Sequence, residues 1–521
     1  MGDLALMSFL SMKRERRRLL RCHRQIRRDR GSVASVATRK GPQCQHDDNS
    51  QGCKGSELYL PEDILRHIHA LMPLRDAARA SCISHAFLRS WRCHPYLTLT
   101  EETLGFNKNA VTQDDITRDF INKIKPILQN HDGIGVKALE LDLFRCSNID
   151  SCYLDRWLHI AVAPGIEELT LMLPIVSKAE YNFPCSLLFD RGGNSIRYLH
   201  LTDCSFHPTV GLGCLRSLTQ LHLSTVRITG DELELLLCKS FTLECLKLSY
   251  CDEIIHMKIP CLLKRLSNLQ VADCKSLQSI ESYAPNLSTF HLHGLLVRLS
   301  FGNPLLVKNV KIVCLYQANI VSYARTELMS IAPNVETLDI YSSSEIVNTP
   351  MVPGKFLHLR YLHAYFVGVA FSPNYDYFSL VSFLDASPSL ETFILSVMQH
   401  RMEHDSVFGE TAHLRRMPEH RHEKLKSVKI SGFCSAKSMV ELTCHILENA
   451  PSLECLTLDT TNGAARCSSS KSGKCYSMEN DILMEAHKAL LAIRTCVQGK
   501  VPPAVKLNVV EPCSRCHVLE I

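Results

Sequence analysis

The chain has 521 residues, 45% of them hydrophobic, enough for several ordinary domains or for one small domain joined to an extended repeat array. Its formal net charge of +5 is unevenly placed: before Ser56 thirteen basic residues face five acidic ones, a balance of +8, which leaves −3 for the remainder. Charge therefore argues for a polyanion partner only in the first 55 residues, because the body has no basic bias. Many of the 24 cysteines, such as Cys245, Cys274, Cys314 and Cys455, lie in apolar runs, where a thiol packs as a small hydrophobe, and they read as reduced. Leu4 to Leu10 precedes the basic run and is short, so no secretory signal is expected. Polar residues interrupt the uncharged runs well before a bilayer-spanning length of about 20, so no membrane partner is expected either. These features together lead to the expectation of a soluble protein of the nucleus and/or cytoplasm.

Residues 1–55 carry few large apolar side chains after Leu20 and are expected to form a disordered basic tail, since burial there would not offset ordering entropy. Lys13, Arg14, Arg16, Arg17 and Arg18, followed by Arg27, Arg28 and Arg30, resemble a bipartite nuclear-import signal. A solvated tail, or one touching nucleic acid or a membrane surface, is the alternative for the same run. Leu6 stands where myristoylation requires Ser or Thr.

Residues 56–95 read as two or three short helices. Pro61 suits a first helical position, with Glu62 and Asp63 in the first turn where the helix dipole favours acids. Ile64, Leu65, Ile68 and Leu71 form an apolar stripe, and Pro73 ends the helix. A second helix near Arg75–Ala80 leads to a third, where Ile83, Phe87, Leu88 and Trp91 share a face. So small a unit is marginal unless it docks on something.

Leu60-Pro61-x-Asp63-Ile64-Leu65, then Leu71-x-Pro73-Leu74-x-Asp76-Ala77-Ala78-Arg79-Ala80-Ser81-Cys82-Ile83-Ser84, then Trp91, resemble the F-box of plant F-box proteins. The resemblance implies that Leu60, Pro61, Ile64, Leu65, Ile68, Leu74, Ala78, Cys82, Ile83 and Trp91 meet a Skp-family adaptor, which bridges to a cullin–RING ligase. The competing reading of the same stripe is a helical cap over the first repeat.

From Val136 onward, apolar residues recur in the spacing apolar, two residues, apolar, one residue, apolar. Examples are Val136/Leu139/Leu141, Ile166/Leu169/Leu171 and Leu243/Leu246/Leu248, continuing to Leu453/Leu456/Leu458. Their period of 20 to 35 residues is that of leucine-rich repeats, whose alternating side chains enter a shared core only when neighbours stack. The expected fold class is α/β: a three-helix F-box at 56–95, then a leucine-rich-repeat solenoid, or horseshoe, over 96–460. The rival is an ordinary α/β domain with parallel strands. A mobile loop at 461–479 and a cap at 480–521, with a helix Asp481–Cys496 and a strand Ala504–Val510, complete the chain. Phe383 to Phe393, Lys424 to Phe433 and Ile446 to Glu454 resemble plant F-box proteins of the meiotic F-box type. This implies presentation of an unknown protein substrate and no catalysis.

Cys513-Ser514-Arg515-Cys516-His517 fits half of a zinc site or a haem-attachment pattern, but lacks an evident second cysteine pair. His400, His404, His413, His420 and His422 lie in a charged stretch that reads as a solvated loop. No metal site and no cofactor are expected, nor a nucleic-acid partner for the body. Outward-facing strand residues such as His222, Lys247, His291 and Lys429 are where recognition would be sought. The leading reading is the substrate-recognition subunit of an SCF-type ubiquitin ligase. The alternatives are a repeat scaffold without ligase engagement, and an enzyme or nucleic-acid binder working through the tail.

Overall fold

A computed structural model describes residues 61–517, apart from 84, 106–111, 133–134, 148, 163, 175–179, 189–194, 210–214, 316, 369–374, 400–403, 410–412, 462–474 and 476–477. The tail at 1–55 with its import candidates, Leu60, and most of the loop expected at 461–479 lie outside the described residues.

Three helices open this part of the chain: α1 (Glu62–Leu71), α2 (Leu74–Ser81) and α3 (His85–Arg92). Pro61 and Pro73 each stand immediately before a helix, with extended ψ, so each proline stops the preceding segment and sets the direction in which its helix leaves. The inner seam is unusually rich in histidine. His69 is buried, stacks on Phe87 at 5.5 Å and donates from Nε2 to the Ala77 carbonyl at 3.0 Å. His94 donates from Nε2 to the Met72 carbonyl at 3.3 Å and accepts the Tyr96 N–H at Nδ1, 3.2 Å away. Burial pulls both imidazoles below their ordinary range, which keeps them neutral.

Among the described residues, fifteen parallel strands then run in sequence order, from Tyr96–Leu99 to Lys506–Val510, skipping three short strands that form a sheet of their own. The expected repeat phase is the observed register: Leu139 lies beside Leu169, Leu169 beside Leu199, Leu199 beside Leu221, and Leu221 beside Leu246. A second column runs through Leu141, Leu171, Leu201, Leu223 and Leu248. Both columns point into one hydrophobic core that runs the length of the array. Each buried Leu contributes roughly 1.5–3 kcal/mol, and none of these strands could bury its columns without neighbours on both sides. The final strand, expected as part of a cap, pairs with Cys455–Asp459 as a full member of the sheet. The fold is thus α/β, a helical unit followed by parallel repeats.

Coil length decides what forms the far side of each repeat. Strands starting at 245, 268, 289 and 309 leave only 20–23 residues per coil, and the returning chain forms the short strands His256–Ile259, Ser279–Ser282 and Arg298–Phe301. Longer coils return through helices such as Ser151–Ala161 and Lys437–Asn449. The cysteines among the described residues are free thiols. Cys251 donates to the carbonyls of Leu223 and Ser249 at 3.7 and 3.6 Å, satisfying backbone at the turn. No described helix is long and apolar enough to cross a membrane.

Candidate functional site

Outward from the histidine seam, α1 presents Ile64, Ile68 and Leu71 at positions i, i+4 and i+7, one face of the helix. Their side chains are 47%, 40% and 74% exposed, and Ile83, in the turn between α2 and α3, is 83% exposed. Pro61 and Cys82 are exposed as well, while Leu65, Ala78 and Trp91 are half-buried, Trp91 packing against the core. Leu74 corrects the expected contact set. At 6% exposure it belongs to the chain's own core, holding α2 down rather than offering itself to another molecule. The charged residues around the patch pair locally, Arg66 with Glu62 at 3.1 Å and Arg79 with Asp76 at 3.4 Å, and contribute little to stability. What they leave is a set of large apolar side chains in water, which the helical unit has not used for its own packing.

Along the large sheet, the residues between the two buried columns face outward. Lys247, His291 and Lys429 occupy such positions beside Gln270, Lys311 and Ile394. His222 departs from the expectation: it is buried, its ring 5.1 Å from that of Tyr198, whose hydroxyl donates to Nδ1 at 3.1 Å.

The sequence matches two family models, the F-box domain over residues 58–97 and "At1g61320/AtMIF1, LRR domain" over residues 127–514. The chain belongs to the F-box leucine-rich-repeat proteins. Among its relatives in Arabidopsis thaliana is the F-box/FBD/LRR-repeat protein At1g13570, 22% identical over 422 residues, 77% of this chain and 90% of that protein. The FBD-associated F-box protein At1g66310 is 23% identical over 444 residues, 78% of this chain and 91% of that protein. F-box domains generally bind Skp1-type adaptors in cullin–RING ligases, and this combination of domains suggests substrate recognition rather than chemistry.

In this F-box leucine-rich-repeat chain, side chains distant in sequence also meet at places that no local pattern marks. Cys475 comes to Cys513 and Cys516, supplying a third thiol to the half-motif near the C-terminus. The solvated-loop reading fails for two of the five histidines. His404 is largely enclosed, with Nε2 at 3.3 Å from Glu485 Oε1 and beside Cys434, and His422 is buried against His445. His400 lies outside the described residues, and His413 is exposed. The spacing His420-x-His422 was visible, but its companions Asp385 and His445 belong to neighbouring coils, which only the repeat stacking brings near.

Proposed function

We propose that this chain is the substrate-recognition subunit of an SCF-type E3 ubiquitin ligase, with the helical unit docking on a Skp-family adaptor and the repeats holding a protein target. The observation that supports this reading is the exposed set Ile64, Ile68, Leu71 and Ile83 on a helical unit matching the F-box. The chain then contributes no bond chemistry. It raises the effective concentration of a substrate lysine near the charged conjugating enzyme, by holding both ends of the encounter. The outward column of the sheet is the proposed substrate surface. Nuclear or cytoplasmic residence is part of the same proposal, with Lys13–Arg18 and Arg27–Arg30 as its import signal, testable by fusing residues 1–55 to a fluorescent reporter.

The test is co-purification of adaptor and cullin with the intact chain and with an Ile64→Glu/Ile68→Glu variant. The intact chain is expected to retain both subunits and the variant neither, with an unchanged circular-dichroism spectrum. Retention by the variant would remove α1 from the docking site. Failure of the intact chain to bind any Skp-family adaptor would leave only a repeat scaffold.

A further inference from the structure

Four polar atoms converge in the C-terminal half of the repeats without a hydrogen-bond partner among the described residues: Asp385 Oδ1, His420 Nδ1, His422 Nε2 and His445 Nε2. Each orphaned buried polar atom costs on the order of 1–3 kcal/mol, so four in one place call for a physical reason. Asp385 lies near the end of the helix Val381–Ala386, His445 belongs to the helix Lys437–Asn449, and His420 and His422 sit on the irregular segment leading to the strand Ser427–Ser431.

Asp385 Oδ1 is 3.5 Å from His420 Nδ1 and 3.8 Å from His422 Nε2, too far for good hydrogen bonds. The ligand atoms offered by Asp385, His422 and His445 all lie within 4.8 Å of one another. Tetrahedral ligands at zinc, about 2.0–2.1 Å from the ion, stand about 3.3–3.4 Å apart. These three are therefore spaced for an ion between them, and His420, outside that group but with Nδ1 3.5 Å from Asp385 Oδ1, is the neighbour that would move in to complete a fourth position.

We propose that Asp385, His420, His422 and His445 form a structural site for a divalent transition-metal ion, zinc by preference. Three imidazoles and one carboxylate are borderline ligands suited to zinc, and four protein ligands leave no open position for catalysis. Burial keeps His422 and His445 neutral, as ligation requires; it pulls His422 down to about 4, helped by the two neighbouring histidines. Burial raises the Asp385 carboxyl, which a bound cation would reverse. Arg325 attracts Asp385 only at a distance, its own hydrogen bonds going to Ser382, the Val352 carbonyl and Met329 Sδ. The backbone N–H of His422 donates to the Asn449 carbonyl at 2.8 Å, fixing the segment against the end of its helix. Beyond the ligands, the Asn449 side-chain amide donates from Nδ2 to the His445 carbonyl at 2.9 Å and lies 3.3 Å from His445 Nδ1, which holds that imidazole in place. His420 is 41% exposed, which gives the ion a way in. A bound ion would tie three separate segments of the chain together.

The purified full chain is stripped with chelator, then titrated with Zn²⁺ alone or Co²⁺ alone. The expected result is a Zn²⁺ equivalent that raises the melting temperature and is weakened about tenfold or more in His420→Ala. It is retained in Cys513→Ser/Cys516→Ser, which separates it from the thiol cluster. Co²⁺ at the site gives the visible bands of tetrahedral coordination without thiolate charge transfer. His420→Ala removes an exposed side chain, so the variant folds, and Asp385→Asn provides a second ligand loss. Absence of Zn²⁺ uptake, or uptake unchanged in both ligand variants and lost only in the cysteine variant, overturns the site.

Discussion

Replacing Leu71 and Ile83 together by Ser probes the docking face where the chain has least use for it. Full burial of a Leu or Ile side chain is worth about 1.5–3 kcal/mol. With 74% and 83% of these side chains exposed, an adaptor that covers them gains about 1.1–2.2 kcal/mol from Leu71 and about 1.2–2.5 kcal/mol from Ile83. The pair together corresponds to about 50- to 3000-fold in the dissociation constant. Because neither side chain supports the fold, unfolding stability should stay within about 0.5 kcal/mol of the parent. Calorimetric titration of a purified Skp-family adaptor, beside urea unfolding of each chain, reads both quantities. A change in affinity below about fivefold with an intact fold would refute the reasoning, since the two most exposed apolar residues of the face would then be idle.

The packing sets three further outcomes. Arg415 bridges Asp376 at 2.8 and 2.9 Å and the enclosed Glu441 at 2.6 and 2.8 Å, so Arg415→Ala strands a buried carboxylate. The half-exposed arginine reduces the usual cost to about 2–3 kcal/mol, to be read as a lower urea midpoint. Acidification should weaken the helical unit. His69 and His94, and His131, which donates from Nε2 to the His94 carbonyl, are all held below their ordinary value by burial. The unfolded chain thus takes up protons first, and the stability these histidines contribute, complete above about pH 6.5, is lost as pH falls from there towards their folded values. Unfolding at pH 7.5 and 5.5 should show a smaller loss in His94→Asn than in the parent, and equal losses would refute the assignment. Gly230→Ala should cost about 1–3 kcal/mol, visible as a lowered melting temperature, because a Cβ there would lie 2.2 Å from the His256 carbonyl oxygen.

The repeat architecture was legible because its signal is periodic: a Leu or its equivalent every second position of a strand, returning with each coil, survives insertions between repeats. Strands such as His256–Ile259 and Arg298–Phe301 were not legible, being four residues long and half polar, and they exist only because short coils leave no room for a helix. The apolar stripe of α1 was readable, but its inner side was not. The sequence suggested that Ile64 and Leu65 shared one role, whereas the fold turns Ile64 outward and half-buries Leu65, and gives the seam to His69 and His94. The burial of Leu74 is illegible for the same reason, since a helical wheel does not say which side faces the chain's own core. The meeting of Asp385, His422 and His445 was beyond any local pattern, because the contact is made by stacking order and not by spacing.

Five successive strand ends turn through a residue of positive φ. Asp203, Thr225, Tyr250 and Asp273 have φ between 50° and 59°, and Gly294 has φ 113°. Each donates its N–H to a carbonyl at the end of the next strand, at 2.7–3.0 Å. A side chain in the left-handed region carries about 1 kcal/mol or more of strain, so at least four coils hold a small spring at the same corner, locked by the next coil along. Thr225, β-branched and the worst suited to that conformation, is where Thr225→Gly or Thr225→Asn would relax the spring. Removing a downstream coil would unlatch the corner before it, so truncations should lose order backwards from the cut rather than leave a clean, shortened array.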